Sequence, residues 1–233
     1  MLPVSMKLLQ AGDRSIFQMM KGCLGRIAIT STVLLIASCG DKEKVAKEGE
    51  SEKALVITAI PDEKVSDQEV NYKALQEYLA KELDIKVKFL ISSSYPAAVE
   101  RFKNGEVHLV WFGGYTGVQA RSAVPGSRAI AQGDVDPKYK SYIIANKDTG
   151  LTQSDEFPSG IKDLVFSFGS KSSTSGRLMP TYFILKETGM MPDKFFTKPL
   201  QFQTVGGHDA TARAVAGGSV NVGVLSYKKY DSM

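Results

Sequence analysis

Hydrophobic and polar positions form two alternating patterns along the chain from Ala54 onward. Short, largely apolar runs at 55–60, 107–112 and 220–225 predict strands, and the continuous run 55–60 predicts one buried on both faces of a sheet. Between such runs, apolar residues recur three and four positions apart, as in 70–83, which predicts amphipathic helices packed on the sheet. This repeated strand–helix order predicts an α/β fold built on parallel sheets.

The same pattern divides the chain into two sets of elements. We expect a first α/β lobe over 54–146, in which further strands are predicted near 128–131 and 141–145. A second lobe is expected over 147–224, and 225–233 would begin a return crossing toward the first lobe. The sequence therefore predicts two α/β lobes with a cleft between them.

A different pattern occupies the start of the chain. The uncharged apolar run 27–37 follows Lys21 and Arg26 and ends in small residues, which is typical of a secretory signal. The run is shorter than the ~20 residues that a membrane-spanning helix needs. We predict a signal peptide over 1–38, with Met20 as an alternative start, and favour it over a buried core helix.

The end of this run, Ile36-Ala37-Ser38-Cys39, resembles the lipobox of bacterial lipoproteins. That resemblance implies cleavage before Cys39 and acylation of Cys39, which would hold the protein at a membrane by its lipid. The stretch 39–53 is rich in alternating lysine and glutamate and is expected to be a charged linker. The implied location is the periplasm or cell envelope.

The total charge and the number of cysteines indicate neither a nucleic-acid-binding protein nor a disulfide-rich one. The formal charge is +4, from 29 basic and 25 acidic residues, but residues 1–38 hold four of the basic and one of the acidic residues. The remainder has 25 basic and 24 acidic residues, so a basic nucleic-acid-binding surface is not supported. The two cysteines, Cys23 and Cys39, are too few to predict a disulfide framework.

A hydroxyl-rich turn follows the predicted strand 164–168 and precedes the predicted helix 175–188. It contains Ser172, Ser173, Thr174 and Ser175 in succession. Free backbone N–H groups and the positive end of the helix dipole favour an anion at such a turn, and the hydroxyls add donors. The alternative is a simple N-cap, which needs only one hydroxyl.

His208 follows the next predicted strand, 200–205, again at the start of a helix. It is either a donor to the same anion or a histidine of a capping turn. In the first lobe, Tyr95, Trp111 and Tyr115 follow strands and would either line the cleft or pack in the core. No cluster of histidine and cysteine indicates a metal, so no cofactor is expected.

Together these segments resemble the phosphate, phosphite and phosphonate periplasmic binding proteins of ABC importers, and most of all the branch named for selenate binding. The resemblance rests on Phe168-Gly169 with 172–180, and on 111–115, 207–211 and 59–62, which occur in the family's order. It implies a type II periplasmic-binding-protein fold, in which two α/β lobes close on an oxyanion.

The resemblance also implies a set of ligand-binding residues. The serine–threonine turn, the histidine and the two tyrosines would hold the oxyanion, with Trp111 as a neighbour. Residues 224–228 offer no carboxylate, which favours a small inorganic oxyanion over an aminophosphonate. The expected ligand-binding residues are Tyr95, Trp111, Tyr115, Ser172, Ser173, Thr174, Ser175 and His208.

The implied function is transport without catalysis. A monomeric lipoprotein would capture selenate or selenite, phosphite, phosphate or a phosphonate and deliver it to a membrane permease and its ATPase. Two alternatives remain open: a hydrolase that uses Ser173 or Ser175 with His208, and a ligand-sensing domain on the same fold. The chain contains no Gly-x-Ser-x-Gly elbow, which counts against the hydrolase.

In the family that the sequence resembles, the chain returns from the second lobe and completes the first. This sequence ends at Met233, where that return would begin. We therefore expect a C-terminally truncated chain with an incomplete first lobe.

Overall fold

The computed structural model describes residues 54–233. Residues 54–130 and 135–233 belong to one compact unit, and Ala131–Asp134 fall in a second unit and contain no helix or strand. The predicted signal peptide, lipidated cysteine and linker lie outside the described residues. Among the helices that the structure describes, none has the length and apolar character required to cross a bilayer.

The first sheet has three parallel strands in the order β2-β1-β3. The central strand β1 carries the most apolar run, and its Ile57 is 2% exposed because strands flank it on both sides. The strands are β1 (Ala54–Ala59), β2 (Lys86–Leu90) and β3 (Leu109–Trp111), and the helices between and after them are α1 (Val65–Leu83), α2 (Tyr95–Lys103) and α3 (Gly114–Ala123).

The second sheet has four strands in the order β4-β7-β5-β6. Strand β5 runs parallel to β6 and β7, whereas β4 is antiparallel to β7. The strands are β4 (Ser141–Ala145), β5 (Phe166–Phe168), β6 (Gln201–Phe202) and β7 (Val222–Ser226); the helices are α4 (Met179–Thr188), α5 (Pro192–Phe195), α6 (Gly207–Ala216) and α7 (Tyr227–Asp231).

The structure differs from the predicted elements at three places. Strand β4 pairs with β7 and so lies in the second sheet, although the pattern placed 54–146 in the first lobe. The segment 128–131 forms no strand, and its Ile130 is 62% exposed. Helix α1 begins at Val65 rather than Val70, because Gln68 is buried and donates from Nε2 to the Ile60 carbonyl at 2.6 Å.

The two sheets are supported by cores of different size. The second sheet packs on a cluster of eight buried apolar residues, four of them phenylalanines, whose rings stack or meet edge to face. The first sheet has a small cluster of Ile60, Tyr95 and Ala98, with Phe112 partly buried against it. The cluster under the second sheet comprises Ile161, Phe166, Phe168, Ile184, Phe195, Phe196, Val222 and Val224.

Candidate oxyanion-binding site

The serine–threonine turn lies directly after β5, at the start of the helical segment that continues into α4. Ser173 is the N-cap of a wide turn over Thr174–Leu178, and its Oγ accepts a hydrogen bond from Gly176 N at 2.9 Å. Capping therefore uses Ser173 alone, as the simple N-cap alternative requires. Thr174 and Ser175 take no part in the capping bond, so their hydroxyls are free to face other groups.

Glycines allow this turn to fold tightly against β5. Gly169 N donates to the Gly176 carbonyl at 2.9 Å. A Cβ on Gly176 would lie 2.9 Å from Ser173 Oγ and 3.3 Å from Gly169 Cα, which is closer than a side chain tolerates. The glycine spacing in the motif is thus a packing requirement of the turn.

His208 lies opposite the turn, in the first turn of α6. Its ring is 4% exposed, and its Nε2 is 3.3 Å from Ser175 Oγ. Burial lowers the pKa of His208 to about 4, so the imidazole is neutral at neutral pH. Its Nδ1 is buried and has no hydrogen-bond partner among the described residues. The histidine therefore contributes a neutral hydrogen-bonding group and no positive charge.

The neighbouring Asp209 does not orient this histidine. Asp209 is 3% exposed, and its Oδ1 pairs with Lys229 Nζ of α7 at 2.7 Å. Within residues 54–233 no acidic side chain bonds Nδ1 of His208, the position at which a hydrolytic triad holds its imidazole. The chemistry that this geometry supports is hydrogen bonding to a bound group.

The first sheet contributes the N-termini of α2 and α3 to the same place. Tyr95, the first residue of α2, is 3% exposed and hydrogen-bonds to Ser173 through its phenol. Tyr115 meets the turn through its backbone, because Tyr115 N donates to Thr174 Oγ1 at 2.8 Å. A Cβ on Gly113 would lie 3.4 Å from Thr174 Oγ1, so this approach depends on glycine.

Two of the expected residues have other contacts in the structure. Trp111 is half-buried, and its carbonyl accepts from Ile60 N at 3.1 Å, so its backbone belongs to the sheet. Ser172 lines a surface groove with Pro96, Lys103 and Gln119, between α2 and α3. The structure thus gathers Tyr95, the Tyr115 backbone, the hydroxyls at 173–175 and His208.

Asp62 also contacts this cluster through its backbone, although no sequence pattern assigned a role to it. It follows β1, and its carbonyl accepts from His208 N at 3.1 Å. Burial raises the pKa of the Asp62 carboxyl to about 6, and a hydrogen bond from Gln68 opposes that rise. Its position after a buried strand, within the segment 59–62, was the available signal. Within the described residues no group of three or more metal-ligating side chains occurs.

The profile of a family described as "ABC transporter, phosphonate, periplasmic substrate-binding protein" matches residues 57–233. The chain belongs to this family. The family-level resemblance stated from the sequence motifs is thereby confirmed.

Relatives agree with this assignment. The "Probable ABC transporter phosphite binding protein PhnD1" of Prochlorococcus marinus (strain MIT 9301) is 38% identical over 182 residues, which cover 77% of this chain and 60% of that protein. The "Phosphate-import protein PhnD" of Mycolicibacterium smegmatis is 31% identical, with coverages of 84% and 63%. The chain therefore spans about three fifths of the length of these relatives.

A solved structure of the Prochlorococcus protein, in complex with methylphosphonate, has a TM-score of 0.71 and 39% identity to this chain. The match covers 77% of this chain and 66% of that one. The expected type II periplasmic-binding-protein fold, an α/β fold with a sheet in each half, is confirmed by this similarity.

Proposed function

We propose that this protein is the substrate-binding component of an ABC importer, and that it captures a small oxyanion and passes it to a membrane permease and its ATPase. The main supporting observation is the cluster of buried Ser173, Ser175 and His208 with half-buried Thr174, which lies at the N-termini of two helical segments. Hydroxyls, free backbone N–H groups and helix dipoles at such ends stabilise an anion.

The names of the relatives support the ligand class. One is named for phosphite and has been solved with methylphosphonate, and another is named for phosphate import. We propose the same range for this chain, namely phosphite, phosphate or a phosphonate, with selenate or selenite added because of the sequence resemblance. Lipidation at Cys39, a periplasmic or envelope location and a monomeric state complete the proposal.

Contacts between the two sheets support capture by closure. Thr174 of the second-sheet turn accepts from Tyr115 N, and His208 N donates to the Asp62 carbonyl. A ligand held by Thr174 and His208 would be enclosed by these same contacts. We propose that closure of the two halves around the ligand forms the surface that a permease recognises.

The test is a binding screen of the full chain. Thermal shift and calorimetry with phosphite, methylphosphonate, phosphate, selenite, selenate and sulfate should show a ligand-dependent rise in melting temperature. Thr174→Val and Ser175→Ala should each weaken binding by about tenfold, the effect of one lost hydrogen bond to a charged group. Ser219→Ala, at an exposed serine outside the cluster, is the matched control.

The hydrolase is retained as a second candidate because Ser175 Oγ and His208 Nε2 are 3.3 Å apart. Activated aryl esters should be hydrolysed no faster by the wild type than by Ser175→Ala. If no oxyanion shifts the melting temperature and ester hydrolysis depends on Ser175, the transport proposal fails and the hydrolase replaces it.

A further inference from the structure

We propose that Thr174 is a positioning residue that fastens the two halves of the cleft together: its hydroxyl caps helix α3 from across the cleft, and this cap links closure to oxyanion capture. The cap is a contact of the folded chain, whereas its link to capture rests on the proposed function. The inference gives Thr174 a role on the first-sheet side of the cleft, in addition to any contact that it makes with a ligand.

Helix α3 starts without a capping side chain of its own. Its N-cap is Gly113 and its first residue is Gly114, so neither position can offer a side-chain oxygen. The first intrahelical hydrogen bond runs from Gly117 N to the Gly113 carbonyl at 2.8 Å, which leaves the amides before it without a partner inside the helix. Helix α2, beside the same sheet, differs because Ser94 Oγ accepts from Ala97 N at 3.2 Å. An acceptor for the start of α3 must therefore come from elsewhere.

Thr174 supplies this acceptor from the second-sheet half. Tyr115 is the second residue of α3, and its N donates to Thr174 Oγ1 at 2.8 Å. An N-cap side chain accepts from the second or third amide of its helix, so Thr174 takes the place of that side chain although it lies 59 positions along the chain. Ser173 caps the helical segment of its own turn, which leaves the Thr174 oxygen available for α3.

Two glycines leave room for the threonine at the start of α3. A Cβ on Gly113 would lie 3.4 Å from Thr174 Oγ1. A Cβ on Gly114 would lie 3.6 Å from the same oxygen and 3.7 Å from Thr174 Cγ2. A larger side chain at either position would compete with Thr174 for this space, because side chains in a packed contact have little room to move. The start of α3 and the Thr174 side chain are thus complementary in shape as well as in hydrogen bonding.

A second contact between the two halves does not depend on this hydroxyl. His208 N donates to the Asp62 carbonyl at 3.1 Å, which is a bond from backbone to backbone. The bond from Tyr115 N is lost when Thr174 loses its oxygen, whereas the bond to Asp62 does not use a side chain. A substitution at Thr174 therefore removes one of the two contacts selectively.

The chemistry of a hydroxyl couples this cap to a bound anion. A threonine hydroxyl has one proton to donate and two lone pairs that accept. Because Tyr115 N uses a lone pair of Thr174, the Thr174 proton remains available to an oxyanion bound at the turn. Donation to an anion polarises the hydroxyl and strengthens the bond that it accepts. The ligand and the cap should therefore stabilise each other.

The first experiment measures the cap without a ligand. The full chain labelled with ¹⁵N-tyrosine gives an amide signal for each of its nine tyrosines, and hydrogen exchange at Tyr115 reports the bond to Thr174. Thr174→Ala should speed exchange at Tyr115 by about tenfold, as expected for one lost hydrogen bond. Thr174→Ser retains the hydroxyl and should leave that exchange close to the wild-type rate.

The matched control is Thr188→Ala. Thr188 is half-buried like Thr174, and its Oγ1 also accepts a backbone amide, that of Met190 at 3.1 Å, but within the same half of the molecule. This variant should leave exchange at Tyr115 unchanged. The same result for Thr174→Ala would overturn the cap, whether or not an oxyanion binds. If Thr174→Ala does not fold, the wild type decides: exchange at Tyr115 as fast as in an unstructured peptide overturns the cap.

The second experiment adds phosphite or methylphosphonate, after calorimetry has shown binding. At a concentration about 100-fold above the dissociation constant, exchange at Tyr115 in the wild type should slow by about tenfold or more, because the ligand stabilises the closed chain. Binding without a change in this exchange would overturn the link between cap and capture and leave the proposed function standing. If no oxyanion of the binding screen binds, the proposed function fails and the first experiment alone judges the cap.

A rescue variant separates capping of α3 from fastening of the two halves. Gly113 has φ −73° and ψ 167°, the extended backbone of an ordinary N-cap, so Gly113→Ser can cap α3 from within its own half. In the double variant with Thr174→Ala the oxygen 3.4 Å from the new Cβ is gone, and Ile60 Cδ1 remains at 3.4 Å. Exchange at Tyr115 should again be slow but should no longer respond to saturating ligand. A ligand response equal to that of the wild type would overturn the role of Thr174 as the link.

Discussion

The two walls of the cleft are supported by hydrophobic cores of different size. The second-sheet wall, which carries the hydroxyl turn and His208, rests on eight buried residues rich in phenylalanine. The first-sheet wall, which carries Tyr95, Asp62 and the N-terminus of α3, rests on three buried residues and Phe112. The hydroxyl donors are thus built on the larger core, while the smaller wall meets them through Asp62, Tyr115 and Gly113.

The largest expected effect is the loss of a phenylalanine from the larger core. Phe168→Ala should cost about 3–5 kcal/mol of unfolding free energy, because its ring is fully buried and packs on Phe166 and Phe202. Phe112→Ala, half-buried in the smaller cluster, should cost about 1–2 kcal/mol. Urea denaturation followed by circular dichroism measures both losses; equal losses would show that the two walls are supported equally by their cores.

The second largest effect is expected from removing Lys229, which is the counterion of the buried Asp209 carboxylate in the second-sheet wall. Lys229→Met leaves the Asp209 carboxylate buried, with Lys64 Nζ 4.0 Å away, and should cost about 3 kcal/mol. The double variant with Asp209→Asn should recover most of that loss. Lys103→Met, which removes a surface pair with Glu100, should change stability by less than about 0.5 kcal/mol. A surface-sized effect at Lys229 would show that this pair does not fasten α7 to α6.

The lowered pKa of His208 predicts that its contribution to the unfolding free energy decreases as pH falls. Its pKa is about 4 in the folded chain, against 6.5 for an exposed histidine, so the unfolded chain takes up a proton first as pH falls. The stability advantage of wild type over His208→Gln should be complete above pH 6.5 and shrink by up to about 3 kcal/mol as pH falls toward 4. Denaturant titrations across this range measure the difference; an advantage that grows at low pH would contradict a neutral buried imidazole.

Asp62 should act in the opposite direction over an overlapping range. Its pKa is raised from 3.8 to about 6, so the folded chain holds a proton that the unfolded chain has lost. This contribution to stability is complete below pH 3.8 and disappears as pH rises through about 6. Between about pH 4 and 6, the contribution of His208 to the unfolding free energy should therefore rise with pH, whereas that of Asp62 should fall. Denaturant titrations of His208→Gln and Asp62→Asn against wild type measure the two contributions.

The smallest loss of stability, together with a clear loss of oxyanion binding, is expected at Gly207, where the two walls are in contact. Gly207→Ala places a Cβ 2.5 Å from the Asp62 carbonyl and should separate the walls, which weakens oxyanion binding by tenfold or more at a cost of about 1–2 kcal/mol. Gly189→Ala has a φ of +69° in open space, so it should cost about 1 kcal/mol and leave binding unchanged. Equal binding by both variants would contradict the contact between the walls.

Most of the fold was predictable from local pattern. The apolar runs identified β1 and β7, because strands flanked on both sides leave no polar alternation. Pairing was not predictable: β4 follows the first-lobe elements in sequence, yet five of its residues pair antiparallel with β7 some eighty positions later. Sequence proximity says little about such long-range partners, because any exposed strand edge could accept a short strand.

The site residues that follow strands were predictable from the sequence, whereas the long-range contacts that join them to other residues were not. The turn at 173–175 and His208 lie together, as expected of groups at the carboxyl ends of neighbouring parallel strands. The pairing of Asp209 with Lys229 and the contact of Asp62 with His208 join residues far apart in sequence. No periodicity or spacing encodes those contacts, since they depend on how two sheets are packed.

The sequence by itself determined the α/β class, the family and the chemical types of the candidate ligand-binding groups, because hydrophobic period, turn glycines and hydroxyl runs are local properties. Only the tertiary structure decided that the histidine is neutral, that Asp209 pairs with Lys229 and that the loop carrying Asp62 meets the start of α6. These are properties of burial and distance, which arise when the two sheets are packed together.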